Sequence, residues 1–341
     1  MSLIKKVGRK IVYGLGIKKV PVMTKVEQCR ARGVKIGDNV DLINAEIDYC
    51  FGHLITIGNN VTITNSVVLA HDASTKKELG YSKIGCVDIG DNRFPRKTNA
   101  VNMSGIKIRH NQVILNGKNH VFCGIDCSIQ NNKFVIHGNE NRVEIRDNVE
   151  INGSDQQTIF MQGNNNHIII ESGCRISNTS FFIVGSNNKI TISKNVSTMA
   201  TEFHIERDNN TIFIGENTSM HGRGTKTVHF ALDEGTNVVV GEDCMFSNDI
   251  QIRSSDSHSI LDLGGKRLNQ ADDIVIGKHC WLGLRCMLLK GTEIPDYTVV
   301  AGGAICTKKY TESNTIIAGV PAKVVKRDIN WDRERFSVNV K

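Results

Sequence analysis

The chain has 341 residues, of which 23% are charged and 6% aromatic, and 42 Lys and Arg against 35 Asp and Glu leave a formal charge of +7. This length accommodates one long domain or two ordinary ones, and the modest positive balance fits an anionic ligand. The basic residues are not interleaved with aromatics in any nucleic-acid-binding pattern, so nucleic acid is not expected as a partner.

With 31 Gly, only 4 Pro and many Gly-Asn and Asp-Asn pairs, the chain is rich in turns, and few windows carry helical periodicity. An all-β or solenoid chain is expected. The 10 cysteines are scattered among aliphatic residues, as small buried hydrophobes would be. No apolar leader precedes them, which suits a reducing cytoplasm better than a disulfide framework. Cys123 and Cys127 form the one close pair, and no second pair completes a zinc site, so no metal is expected.

Residues 1–33 form a segment of their own. Leu3, Ile4, Val7, Ile11 and Leu15 fall near helical spacing, with Lys5, Lys6, Arg9 and Lys10 between them. Two readings stand. The helix caps the open end of a β-stack, or residues 1–20 lie on an acidic membrane surface as a peripheral contact.

Residues 34–104 change rhythm. Val34 to Val40, Ile55 to Ile63 and Val87 to Asn92 each read as strand, Gly-polar turn, strand. Six residues with one inward aliphatic make one flat side of a triangular coil. Residues 105–327 continue on a longer period. Asn119, Asn141, Asn166, Asn188, Asn210 and Asn237 each stand two residues before an aliphatic, at spacings of 22, 25, 22, 22 and 27. A period near 20 residues is a β-solenoid signature, and asparagine at equivalent corners tolerates left-handed backbone and bonds along the stack. From Ile274 the six-residue rhythm returns, and residues 328–341 read as a charged cap, in form a helix.

The chemistry is concentrated between Val238 and Arg327. His258 lies within Ser255-Asp256-Ser257-His258-Ser259. In an extended segment the serines share one face, and Asp256 and His258 project from the other. An outward histidine with a carboxylate two residues away suits a general base near neutral pH. Trp281 follows 23 residues later, about one coil plus an insertion, which places it near the same face. The alternative for Trp281 is a cap on the edge of the core. A basic group follows in Thr307, Lys308, Lys309, Lys323, Lys326 and Arg327. With no Walker-type loop, phosphates need such side-chain cations.

The ordered set of Asp-x-His, Trp-x-Gly, Thr-Lys and Gly-Val-Pro-Ala-Lys resembles the hexapeptide-repeat acyltransferases, and within them the bacterial O-acetyltransferases of cell-surface glycans. The resemblance is strong over about residues 238–327 and elsewhere extends only to solenoid character. It implies an all-β, left-handed parallel β-helix and direct acetyl transfer from acetyl-CoA to a glycan hydroxyl. His258 would be the general base, with Asp256 orienting the imidazole or holding a sugar hydroxyl. The excursion from Leu261 to Asp272, including Asn269, would form part of the acceptor cleft, and Trp281 would wall it. The pantetheine arm would lie between subunits of a homotrimer near Leu284 and Gly302. Thr307, Lys308, Lys323 and Lys326 match cofactor-contacting positions, although relatives often carry Arg at the last two. His71, in Val68-Leu69-Ala70-His71-Asp72, resembles a second catalytic segment whose cofactor coils are missing, which implies a truncated, vestigial copy or, alternatively, a second working site completed by the following coils or another subunit. Transfer to a small acceptor such as an amino sugar or antibiotic, and a non-catalytic solenoid scaffold, remain as alternative readings. A zinc lyase on the same solenoid would need converging histidines that the sequence does not pair.

Overall fold

A computed structural model describes residues 23–47, 56–59, 61–64, 67–68, 86–88, 98–102, 107–109, 111–153, 157–221 and 228–334. The described strands form three long parallel sheets, of 11, 10 and 13 strands, called here faces I, II and III. From Lys107 to Cys306 the described strands visit them in rotation, so each face gains one strand per coil. The architecture is the left-handed parallel β-helix expected from the sequence.

Alternation within each short strand decides what is inside. Along Ser180–Val184, Phe181 and Ile183 are buried and their neighbours half-buried. Because strands pair in register, like residues stack on like: Phe181, Phe203 and Phe230 form a column with centroids 5.0 and 4.9 Å apart. Such offset aromatic contacts add to the burial of three large side chains.

The corner between faces I and II is held by an asparagine ladder. Asn119, Asn141, Asn166, Asn188 and Asn210 are all essentially buried. Asn166 Nδ2 donates to Asn141 Oδ1 at 2.9 Å and to Gly185 O at 2.7 Å, and its Oδ1 accepts from the backbone and side chain of Asn188. Each rung satisfies buried polar groups of the next coil. Asn237, expected as the sixth rung, is not one. The buried Thr236 takes that place, with its N–H 3.0 Å from Asn210 Oδ1, while Asn237 bonds Asp273.

Residues 89–97 and 103–106 lie outside the described residues, and the described strands on either side of them pair into the same three sheets. Cys86–Asp88 pairs with Thr98–Asn102, which pairs with His120–Cys123, and Thr62–Thr64 pairs with Lys107–Arg109. At the start, the helix Lys25–Ala31 has a capping box between Thr24 and Glu27 and buries Cys29 against the first coil. The segment 1–20 and His71 lie outside the described residues. No helix among the described residues is long and apolar enough to cross a membrane.

The far end closes with the antiparallel hairpin of Ile316–Gly319 and Ala322–Lys326 on face III. Of the cap expected over residues 328–341, with its helix from Asn330, only 328–334 fall among the described residues, and there the backbone is irregular rather than helical. Side chains anchor this stretch. Trp331 stacks on His279 at 4.4 Å and donates Nε1 to His279 O at 2.7 Å, while Arg333 binds Asp243 Oδ1 at 2.8 Å. Cys29, Cys123, Cys127, Cys174, Cys244, Cys280, Cys286 and Cys306 are buried, as small hydrophobes would be.

Candidate active site

The ladder corner leads directly to His258. Strand Ile250–Arg253 is the face I strand of its coil, and after it Ser254 turns in, its Oγ 2.6 Å from Thr236 Oγ1. The chain then leaves the coil until Ile274, where it rejoins face II. The alternation expected for residues 255–259 does not hold, because the extended segment stops at Arg253. Ser255 is buried with its Oγ 2.7 Å from Glu234 Oε1, and Ser257 has φ of +61°. The His258 N–H donates to Asp256 O at 2.7 Å across that residue, closing a γ-turn. His258 is exposed as predicted, but a strained turn presents it rather than a pleat.

Asn269 holds this turn. It is 8% exposed, and its Nδ2 donates to Asp256 Oδ2 at 2.7 Å and to His258 O at 2.8 Å. Its Oδ1 accepts from Ile260 N at 2.7 Å and from Arg267 Nε at 3.4 Å. Both amide donors and both lone pairs of Asn269 are engaged, so it clamps the histidine loop. The Asp256 carboxylate is likewise committed, to Lys290 Nζ at 2.5 Å and to Asn269. Those two bonds, Lys290 foremost, hold its carboxyl below the usual range. The His258 ring has no hydrogen-bond or ion-pair partner among the described residues, so Asp256 does not orient it here.

A second pair lies beneath. Arg267 grips Glu234 with two bonds, of 2.5 and 2.7 Å. With the added bond from Ser255, this keeps the Glu234 carboxyl down at about 2. Arg267 also donates to Asn269 O at 3.1 Å. Glu234, Arg267 and Lys290 are site residues that the sequence reading missed. The excursion itself folds back through a Leu261–Arg267 bridge and leaves Ile260, Leu261, Leu263 and Leu268 exposed around His258.

The remaining predicted residues fall on three surfaces. Thr307 and Lys308 follow strand Ile305–Cys306 of face I, as Lys290 follows Met287–Leu289 one coil earlier, so both stack above the His258 loop on the same corner. Leu284 and Gly302 stack at the corner between faces III and I, where Gly303 N donates to Leu284 O at 2.8 Å. A Cβ on Gly302 would stand 3.1 Å from that oxygen, so the glycine permits the close coil-to-coil approach. Lys323 and Lys326 lie exposed on the closing hairpin of face III.

The cations divide further by partner. Lys309 pairs with Glu293, and Arg327 holds Glu312 through bonds of 2.6 and 3.0 Å. Lys308, Lys323 and Lys326 have no ion-pair partner among the described residues, and Lys308 Nζ sits 5.4 Å over the Tyr310 ring. These three therefore suit an incoming phosphate best.

Trp281 is not near the face of His258. It sits on Trp281–Leu282 of face III, between Met245 and Val299, with the whole of face II separating it from the histidine loop. Trp331 lies 6.1 Å from it, so within one chain Trp281 packs with the C-terminal anchor.

No family model matches the chain. It is 31% identical over 175 residues to the polysialic acid O-acetyltransferase of Neisseria meningitidis, covering 51% of this chain and 79% of that protein. It is 36% identical over 123 residues to the polysialic acid O-acetyltransferase of Escherichia coli O1:K1, covering 36% of this chain but only 38% of that protein. The crystal structure of the polySia-specific acetyltransferase NeuO aligns with a TM-score of 0.45 at 28% identity, over 70% of this chain and 84% of that one. The polysialic acid O-acetyltransferase OatWY gives 0.35 at 26% identity, over 71% and 91%.

Proposed function

The chain belongs to the hexapeptide-repeat acyltransferase family, and from that premise we propose that it moves an acetyl group from acetyl-CoA to a hydroxyl of a bacterial capsular glycan. The observation that carries the reading is His258, exposed on a clamped turn at the same corner as Thr307 and Lys308, which stand two coils above it. His258 takes the proton of the acceptor hydroxyl as its oxygen attacks the thioester carbon. The C–S bond then breaks, and the proton passes from the imidazolium to the departing thiolate. No covalent enzyme intermediate is needed, and donor and acceptor are bound together. Lys308, Lys323 and Lys326 receive the phosphates of the donor, and Leu284 and Gly302 border its extended arm.

These elements occupy different surfaces of one chain, which supports a homotrimer whose sites lie between copies. In that arrangement Trp281 of one copy can wall the His258 site of another. The relatives' polymer, polysialic acid, is the first acceptor to try. His71 belongs to a vestigial copy, so only the substitution at residue 258 is expected to stop turnover.

The test follows thiol release and acetylated product with polysialic acid and a panel of capsular glycans, amino sugars and small alcohols. His258→Ala is expected to lower kcat by about 10²–10⁴-fold with an unchanged circular dichroism spectrum. Unchanged turnover in that variant, or full loss in His71→Ala with the fold intact, overturns the assignment of the base. Turnover confined to small amines or alcohols overturns the glycan.

A further inference from the structure

On the outer side of face I, on the two strands that precede Ile250–Arg253 in the sheet, one cluster has no part in acetyl transfer. Glu202 and His204 occupy alternate half-buried positions on Glu202–Glu206, while Phe203 and Ile205 between them fill the core. His229 lies on the next strand, directly opposite Glu202. One ligand atom from each of the three residues can be chosen so that all lie within 4.8 Å of one another.

The groups behind these residues set the imidazoles for metal binding. His204 Nε2 is 3.0 Å from Glu206 Oε1, and a carboxylate can only accept, so the proton sits on Nε2. That leaves a lone pair on Nδ1, which lies 3.7 Å from Glu202 Oε1. His229 Nδ1 is 3.1 Å from Gln251 Oε1, which places its proton there and its lone pair on Nε2. Each histidine is thus held by an oxygen at one nitrogen with the other nitrogen available, the arrangement metal-bound imidazoles adopt. Phe182 stacks on His204 at 4.6 Å, and the two histidine rings meet edge to face at 6.0 Å, so the rings are fixed from several sides.

We propose that Glu202, His204 and His229 form a binding site for a divalent transition-metal ion of the zinc type, clipping two adjacent coils of the solenoid together. Two imidazole nitrogens and one carboxylate oxygen are a zinc ligand set, with a fourth position left to water. At bond lengths near 2.0–2.1 Å, tetrahedral ligand atoms stand about 3.3 Å apart, so closure from the observed spacing needs only small side-chain rotations. Gln251 belongs to the strand that launches the His258 loop, so the ion also ties the stack to the base of that loop.

The experiment uses the full, tag-free chain stripped with EDTA and titrated with zinc chloride by calorimetry, with cobalt(II) absorption reporting tetrahedral geometry. One ion per chain is expected, with a tetrahedral cobalt band and a raised thermal midpoint. Glu202→Gln and His229→Gln are expected to abolish the band and weaken zinc binding by about a hundredfold or more. Glu206→Gln and Gln251→Ala leave all ligands in place and are expected to weaken it by about 10–100-fold, which keeps the proposal testable if a ligand variant misfolds. Wild-type protein that binds no zinc, or binds it no better than these four variants, overturns the site. The outcome is independent of acetyl transfer, because none of these residues touches the proposed reaction.

Discussion

Asn269→Ala separates the two roles open to that residue, a clamp on the histidine loop or a direct contact to the acceptor. Three of its bonds define the turn: Nδ2 to His258 O, Nδ2 to the Asp256 carboxylate and Oδ1 from Ile260 N. Two neutral bonds are worth about 0.5–1.5 kcal/mol each and the one to a carboxylate about 1.5–3 kcal/mol. Their joint loss therefore releases the loop by about 3 kcal/mol. Water reaches the exposed His258 side of the turn, so most of this appears as loop freedom rather than global unfolding. A loop that must be reordered before each turnover at about that free energy lowers kcat by about a hundredfold. KM for acetyl-CoA is expected to stay within about twofold, since Thr307, Lys308, Lys323 and Lys326 lie on other coils. The assay is thiol release with each substrate varied in turn, beside a thermal melt. Asn269→Asp, which sets a second carboxylate 2.7 Å from Asp256, is expected to do worse than alanine. A raised acceptor KM at unchanged kcat would refute the clamp and restore Asn269 as a substrate contact.

Two further outcomes follow from the buried and charged groups. Asn166→Ala strips partners from the backbone and side-chain N–H of Asn188 and from Gly185 O, and each buried orphan costs about 1–3 kcal/mol, so the central coils open locally. Amide exchange is expected to accelerate over residues 141–188 and much less near His258; uniform protection would contradict the ladder's role. Glu234 titrates at about 2, below its ordinary value of 4.5, because Arg267 and then Ser255 hold its charged form. A depressed carboxyl contributes stability that is complete above the unfolded value and fades as pH falls through the folded one. The difference in thermal midpoint between wild type and Glu234→Gln is therefore constant above about pH 5 and shrinks from about pH 4.5 to pH 2. A difference undiminished at pH 2 would show that the Arg267 pair is not its source.

Face count, not residue count, decides which side chains share a surface, and that is where sequence reading succeeded or failed. The six-residue rhythm and the asparagine period were legible because each records an inward position that every coil must fill. The sixth rung failed at Val238-Val239, where either valine satisfies the pattern. Only Val238 is buried, so the ladder falls on Thr236 and Asn237 is turned out to Asp273. Trp281 failed for a related reason. Its 23 residues from His258 contain the excursion to Ile274, and once that is removed the remaining chain advances only through face II onto face III. Glu234 and Lys290 reach Arg267 and Asp256 of the His258 excursion from the coils below and above, at separations set by the pitch of the stack. The zinc-type cluster is hidden for the same reason, since its ligands are not closely spaced in the sequence. Glu202 and His229 are neighbours through parallel register alone, with a full coil of chain between them. In a parallel solenoid each outward site is assembled across coils, so the sequence displays one member of it, here His258, and the fold supplies the rest.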